Sequence, residues 1–202
     1  MKSVLISIQP KWCELIANGK KTIEVRKTKP KLETPFKVYI YMTKEFDRGV
    51  NSWFYWCNNG KVIGEFVCDF VTHYEAELWD DETYERIQEV YKPDDFDEYG
   101  EYAYQTLADN SDDFWKEQHL CKASCLSIEE LRKYIGLGIN EFYGWHISDL
   151  VIYDKPRELS EFSSGSSRLE FSNTEDGFPL KWSGMTRPPQ SWCYVESEVQ
   201  GE

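Results

Sequence analysis

Alternation between apolar and polar residues predicts a series of short strands with helices placed irregularly between them. The apolar run at residues 4–8 predicts a buried first strand. Pro10 then suits the first turn of a helix, where its missing N–H costs nothing, and Asn18 with Gly19 ends that helix. Further strands are predicted at residues 38–42, 62–71, 144–153 and 191–196. This order favours an α+β fold over a doubly wound sheet.

Glycine and capping residues refine these elements. The Asn-Asn-Gly run at residues 58–60 supplies the positive φ of a tight turn, which predicts a hairpin whose first strand is residues 52–57. Gly64 in the second arm indicates a bulge or a close approach of another backbone. Ser127 and Glu130 have the S-x-x-E spacing of a capping box and predict the start of a helix.

Two segments depart from this pattern. Residues 74–118 are acidic and rich in tyrosine, and the helical spacing of Ile87 and Tyr91 predicts a largely helical insertion. Residues 163–186 are rich in Ser, Gly and Asn and predict a long loop. The length fits one domain, so we predict that residues 1–202 form a single domain carrying this insertion and this loop.

The most distinctive charged segment is residues 19–26, with the sequence GKKTIEVR. Two apolar residues alternate with Glu24 and Arg26, which is typical of a half-buried strand. Lys21 lies three positions before Glu24, so the two side chains converge only if the strand begins after Lys21. We expect Lys21 at the corner before the strand. The alternative is an ordinary surface pair of Glu24 and Arg26, worth under about 1 kcal/mol.

Charge is distributed unevenly along the chain. The net charge is −13, which taken alone argues against binding to nucleic acid. Residues 1–61, however, hold 12 Lys and Arg against 5 Asp and Glu, whereas residues 62–117 hold 3 against 18. A basic segment beside an acidic one favours a short anionic ligand over a long duplex.

The sequence gives little support for disulfide bonds, a zinc site, a nucleotide-binding motif or a membrane segment. The six cysteines form no secreted-domain framework, and the first residues do not resemble a signal peptide, so we expect unpaired, metal-free thiols in a cytoplasmic protein. His119, Cys121 and Cys125 are an alternative zinc site, although their spacing is not that of a ribbon or finger. There is no P-loop, no Rossmann fingerprint and no long apolar run, so we expect no cofactor, no metal and no membrane contact.

The spacing G-x-K-x-x-E-x-R in residues 19–26 resembles the signature of the ASCH domain, a relative of the PUA-like RNA-binding barrels. Residues 143–150 and 187–194 are similar to segments of prophage-type ASCH proteins. The resemblance is best over residues 2–72, and the 74–118 stretch has no counterpart in the minimal domain. It implies a PUA-like small β-barrel flanked by helices, with a cleft suited to RNA or a modified nucleoside.

The resemblance also implies which residues line that cleft. The charged residues of the motif would form its floor, with further lysines and two tryptophans as walls that contact phosphates and stack on bases. The floor residues are Lys21, Glu24 and Arg26, and the wall residues are Lys20, Lys11, Trp145 and Trp192.

Two alternatives remain open at this point. Some ASCH proteins are acetylcytidine amidohydrolases or ribonucleases, which implies metal-independent hydrolysis with Lys21 and Glu24 as catalytic residues. Lys21 falls on the lysine of the amidohydrolases, but Glu24 stands where their threonine would be. The other alternative is a phage-encoded interaction protein whose acidic residues 74–117 contact a protein partner.

Overall fold

Strands and short helices follow one another irregularly in the computed structural model, which describes residues 2–44, 53–78, 85–89, 119–164 and 184–197. The strands are β1 (Ser3–Ile8), β2 (Ile23–Arg26), β3 (Phe36–Met42), β4 (Val62–Cys68), β5 (Val71–Leu78), β6 (Glu85–Glu89), β7 (Gly138–His146), β8 (Ser148–Arg157), β9 (Phe162–Ser163) and β10 (Trp192–Ser197). The helices are α1 (Pro10–Ala17), α2 (Trp53–Asn58), α3 (residues 119–124) and α4 (Ile128–Ile135), with a 3₁₀ turn at Leu159–Glu161.

The chain divides into two compact units. The first contains residues 1–19, 32–69 and 147–202, and the second contains residues 20–31 and 70–146. The prediction of a single domain over residues 1–202 stays a prediction.

The first unit is built on a six-stranded sheet in the order β8-β4-β3-β1-β10-β9. β1 pairs with β3 in parallel, and every residue of β1 is buried, as its apolar run predicts for a central strand. Leu5, Tyr39 and Phe162 belong to one core cluster, in which the rings of Tyr39 and Phe162 meet edge to face at 4.9 Å.

Gly64 lies where β4 changes register with β8. A Cβ atom at this position would collide with the carbonyl oxygen of Val151 on β8. The predicted close approach of another backbone at Gly64 is therefore confirmed, because only glycine leaves room for that carbonyl.

The second unit is built on an antiparallel sheet in the order β2-β7-β5-β6. One face of this sheet packs on the two helices α3 and α4. The core cluster contains Ile23, Val25, Tyr74, Ala76, Ile87 and Phe142 from the sheet and Leu120, Leu131 and Ile135 from the helices. The predicted capping box at the start of α4 is confirmed by reciprocal hydrogen bonds between Ser127 and Glu130.

Some of the predicted elements are wrong. Residues 53–58 form α2 instead of the first strand of a hairpin, although Gly60 has the positive φ of +76° that the turn signal implied. Residues 85–89 form β6, so the predicted insertion is not helical there; Ile87 lies opposite Ala76 of β5 and is buried in the core cluster of the second unit. Residues 74–78 of the same stretch belong to β5 and are not helical either, whereas residues 79–84 and 90–118 lie outside the described residues, as do residues 165–183 of the predicted long loop.

The strand predicted at residues 144–153 is two strands. β7 ends at His146 and β8 begins at Ser148. Asp149 has φ +45°, a left-handed conformation that a polar side chain tolerates better than an apolar one and that no local sequence signal indicates.

Candidate functional site

A buried carboxylate lies between two cations in the second unit. Glu24 Oε2 is 3.2 Å from Lys21 Nζ, and Glu24 Oε1 is 2.8 Å from Arg26 Nη2. The side chains of Lys21, Glu24 and Arg26 are only 2%, 7% and 11% exposed. We call these three residues the charged cluster. Because an ion removed from water loses several kcal/mol of hydration, such a cluster persists only when its members hold one another.

The corner before β2 places Lys21 in this cluster. β2 begins at Ile23, so Lys21 precedes the strand and the predicted corner placement is confirmed. Gly19, with φ +67°, turns the chain after α1. Because Lys21 lies outside the strand, the alternation of side chains along β2 does not apply to it, and its side chain can lie on the same side as that of Glu24.

The carboxyl end of α3 fixes the position of Lys21. The Thr22 N–H donates to the Ala123 carbonyl at 2.8 Å, and Lys21 Nζ donates to the Ser124 carbonyl at 2.7 Å. Cys125 ends the helix with φ +56°. Carbonyls at a helix C-terminus carry partial negative charge, so this end of α3 is a natural contact for an ammonium group.

A second lysine contacts a helix end in the same way. Lys27 Nζ donates to the Ile135 carbonyl at the end of α4 at 3.2 Å, and it lies 5.6 Å from the ring centroid of Tyr134. Lys27 is exposed, whereas Lys21 is buried and faces a carboxylate. Contact with a helix end is thus a structural role that both lysines share, and burial beside Glu24 distinguishes Lys21.

Strand pairing places two aromatic residues beside the charged cluster on one face of the sheet. Arg26 of β2 lies opposite Tyr143 of β7, and Tyr143 lies opposite His73 of β5. The rings of Tyr143 and His73 stack at 4.9 Å, and Lys29 Nζ is 5.5 Å from the Tyr143 ring centroid. Directly opposed residues point to the same side of an antiparallel sheet, so Arg26, Tyr143 and His73 form one row on this face.

Carboxylates lie beside this row. Glu141 and Glu75 are opposite each other on β7 and β5, and Glu141 accepts a hydrogen bond from the Tyr143 hydroxyl at 3.2 Å. Burial, together with the charge and hydrogen bond of Glu141, raises the pKa of Tyr143. His73, Glu75 and Glu141 place their ligand atoms within 4.8 Å of one another. Sequence reasoning missed this grouping, for which the only local signal is the alternating His-x-Glu of β5.

The other predicted site residues are placed as follows. Lys20 is exposed in the second unit. Trp145 lies opposite Glu24 but is fully buried, so its ring is not accessible for stacking on a base. Lys11 and Trp192 belong to the first unit, where Lys11 Nζ lies 4.2 Å from the Trp12 ring centroid and Trp192 meets Tyr194 edge to face at 5.5 Å.

The cysteines and the helices bear on the predictions of unpaired thiols and of no membrane contact. All six cysteines fall within the described residues, and none of them forms a disulfide there. In that same part of the chain, His119, Cys121 and Cys125 are not brought together as a metal-binding group. No helix among the residues with described structure is long and apolar enough to cross a membrane.

Comparison with known proteins identifies the family. Residues 6–134 match the ASCH domain family. The structure is similar to that of ASCH from Zymomonas mobilis, with a TM-score of 0.51 and 17% identity over 96% of this chain and 87% of that one. A tyrosine-to-phenylalanine mutant of the Zymomonas mobilis protein gives a TM-score of 0.50 and 17% identity over 97% and 91% of the two chains. No curated protein matches the sequence.

These matches confirm the predicted fold class, an α+β fold of the PUA-like ASCH type. At this level of identity the solved structures support the fold alone. The family match covers more than half of the 202 residues and includes the charged cluster. The chain therefore belongs to the ASCH domain family.

Proposed function

We propose that the charged cluster is the binding site for a short single-stranded RNA or a modified nucleoside, with Arg26 as the residue that contacts the ligand. The observation that carries this proposal is the burial of two cations beside one carboxylate, Lys21 and Arg26 with Glu24. Ordinary surface ion pairs are exposed and contribute little to stability, so a buried cluster of this kind suggests a functional role.

Exposure assigns different roles to the three side chains. Arg26 retains the largest exposed fraction, 11%, and its guanidinium has several donors in a planar fork that matches a phosphate or a base edge. Lys21 is only 2% exposed and already donates to Ser124, so it positions Glu24. Glu24 in turn orients Arg26 through the 2.8 Å contact.

The surrounding charge suits an anionic ligand. Residues 20–31 contain six Lys and Arg and one Glu, a formal charge of +5. Lys20, Lys27, Lys29 and Lys31 are all exposed in this segment. Such a patch raises the local concentration of phosphate groups, while the acidic remainder of the chain repels long duplexes.

Hydrolysis with Lys21 and Glu24 as catalytic residues stays a prediction. Lys21 Nζ donates to the Ser124 carbonyl and lies 3.2 Å from Glu24 Oε2, so two contacts hold its side chain in place. Positioning Glu24 and Arg26 for a ligand uses these contacts as they stand, which is why we favour binding over hydrolysis.

Fluorescence anisotropy with a labelled single-stranded oligoribonucleotide tests the proposal. We expect saturable binding that weakens with salt, with a log–log slope of about −0.7 for each phosphate contacted. Arg26→Ala removes a charge-assisted contact worth about 1.5–3 kcal/mol, so the affinity should fall about 10- to 150-fold. Unlabelled nucleosides added as competitors show whether the base alone is recognised.

Lys133→Ala is the matched control, because Lys133 is exposed on α4 of the same unit and its removal changes the net charge equally. It should change the affinity less than about threefold, the effect of a distant charge. Circular dichroism checks that both variants are folded. Equal losses in the two variants, or no binding of single-stranded RNA at low salt, would refute the proposal.

A further inference from the structure

We propose that His73, Glu75 and Glu141 bind a divalent first-row transition metal, with zinc as the ion that fits best. This site is separate from the charged cluster and needs no RNA. The sequence alone predicted no metal site, because Glu75 and Glu141 are 66 positions apart and only strand pairing brings them together.

The backbone register creates the site. His73 and Glu75 are two residues apart on β5 and therefore point to the same side of the sheet. Glu141 lies directly opposite Glu75 on β7. Two rigid, hydrogen-bonded strands thus present one imidazole and two carboxylates, with all three ligand atoms within 4.8 Å.

The spacing between two of these atoms fits a metal better than a hydrogen bond. His73 Nε2 lies 3.5 Å from Glu141 Oε2, which is beyond the usual N–H···O range of about 2.7–3.2 Å. Ligand atoms on a tetrahedral zinc, each about 2.0–2.2 Å from the ion, are about 3.4 Å apart. A zinc ion therefore fits between these two atoms with little movement of either strand.

The histidine supplies an independent observation. Its Nε2 atom is buried from solvent and makes no hydrogen bond within the described residues. The ring is held by stacking on Tyr143 at 4.9 Å, so Nε2 has a fixed direction toward Glu141. A buried imidazole nitrogen that makes no hydrogen bond and points toward a carboxylate is what we expect of a histidine ligand in a metal-free site.

An outer contact completes the arrangement. The Tyr143 hydroxyl donates to Glu141 Oε2 at 3.2 Å and so orients this carboxylate. Hydrogen bonds of this type fix the ligands of metal sites. One nitrogen and two oxygen ligands suit zinc or manganese; magnesium prefers oxygen ligands and retains its waters.

The site lies close to the charged cluster on the same sheet face. Arg26 and His73 both lie opposite Tyr143, one on each side of β7. Two strand spacings place their backbones about 10 Å apart. A bound metal would add positive charge next to Arg26.

Calorimetric titration of the metal-stripped full chain with zinc chloride tests the proposal. We expect one zinc per chain, and magnesium chloride at the same concentration should give much weaker binding or none. His73→Ala and Glu141→Gln should each weaken zinc binding by more than about tenfold, and Tyr143→Phe should weaken it by about tenfold. Glu141 is 59% exposed, so Glu141→Gln decides the matter if His73→Ala does not fold.

Cys125→Ser is the control for binding to thiolates, since Cys125 belongs to the alternative His119, Cys121 and Cys125 grouping. It should leave the zinc affinity unchanged, and cobalt substitution should produce no thiolate-to-cobalt absorption. The proposal is overturned if no saturable zinc site exists. It is equally overturned if zinc binding survives Glu141→Gln or is lost in Cys125→Ser.

Discussion

Replacing Glu24 by glutamine removes the only negative charge from the charged cluster while keeping its size. Glu24 Oε2 lies 3.2 Å from Lys21 Nζ, and Oε1 lies 2.8 Å from Arg26 Nη2. At an effective dielectric constant of about 20, these contacts correspond to about 5 and about 6 kcal/mol of gross attraction. The cost of burying three ions offsets most of it.

The net effect of Glu24→Gln follows from what remains. Lys21 and Arg26 are left as buried like charges, and removing one partner of a buried pair costs about 3–5 kcal/mol. The glutamine carbonyl still accepts one hydrogen bond, so we expect a loss of about 3 kcal/mol in the free energy of unfolding. Urea-induced unfolding, monitored by tryptophan fluorescence, measures this loss.

Glu14→Gln is the matched control, because Glu14 is exposed on α1. It should change the free energy of unfolding by no more than about 0.5 kcal/mol. A loss below about 1 kcal/mol for Glu24→Gln would place the cluster among ordinary surface pairs and would refute the reasoning.

Three further predictions concern the frame of the two units. Ser127→Ala should lower the free energy of unfolding by about 1 kcal/mol in urea titrations, because it removes the capping hydrogen bond of α4; no loss would mean that the cap is not formed. Gly64→Ala should lower the thermal midpoint and cost about 1–3 kcal/mol, because its methyl group collides with a carbonyl of β8; a neutral result would contradict that close approach. Burial alone would raise the pKa of Glu65, but hydrogen bonds from Lys37 and Tyr153 outweigh burial and lower this pKa. The Glu65 carboxylate therefore stabilises the fold at pH values above its unfolded pKa of about 4.3. This stabilisation is lost as the pH falls through the lower pKa of the folded state. Tyr153→Phe should therefore raise the Glu65 pKa in an NMR titration, and an unchanged pKa would contradict the 2.6 Å hydrogen bond between them.

Local signals predicted the parts of the site that depend on neighbouring residues. The position of Lys21 before β2 followed from the glycine before it and from the alternation after it. The start of α4 followed from the spacing of Ser127 and Glu130. These features depend on interactions within a few residues, which sequence patterns record directly.

Contacts across the chain could not be predicted in this way. Lys21 donates to Ser124, 103 residues later, and nothing near either residue indicates the other. The grouping of His73, Glu75 and Glu141 depends on the register of β5 with β7, and the residues around each of the three do not reveal that register. The helical spacing of Ile87 was misleading because its partner Ala76 lies on a neighbouring strand.

The most direct test of the central claim follows the Arg26 side chain while the ligand binds. In heteronuclear NMR, the Arg26 Nε–Hε resonance can be assigned from its absence in Arg26→Lys. On titration with a short single-stranded RNA, we predict that this resonance shifts saturably, with the same dissociation constant as the anisotropy measurement. If it stays unchanged while the amides of residues 27–31 shift, the RNA binds only the exposed lysines, and the charged cluster is not the binding site.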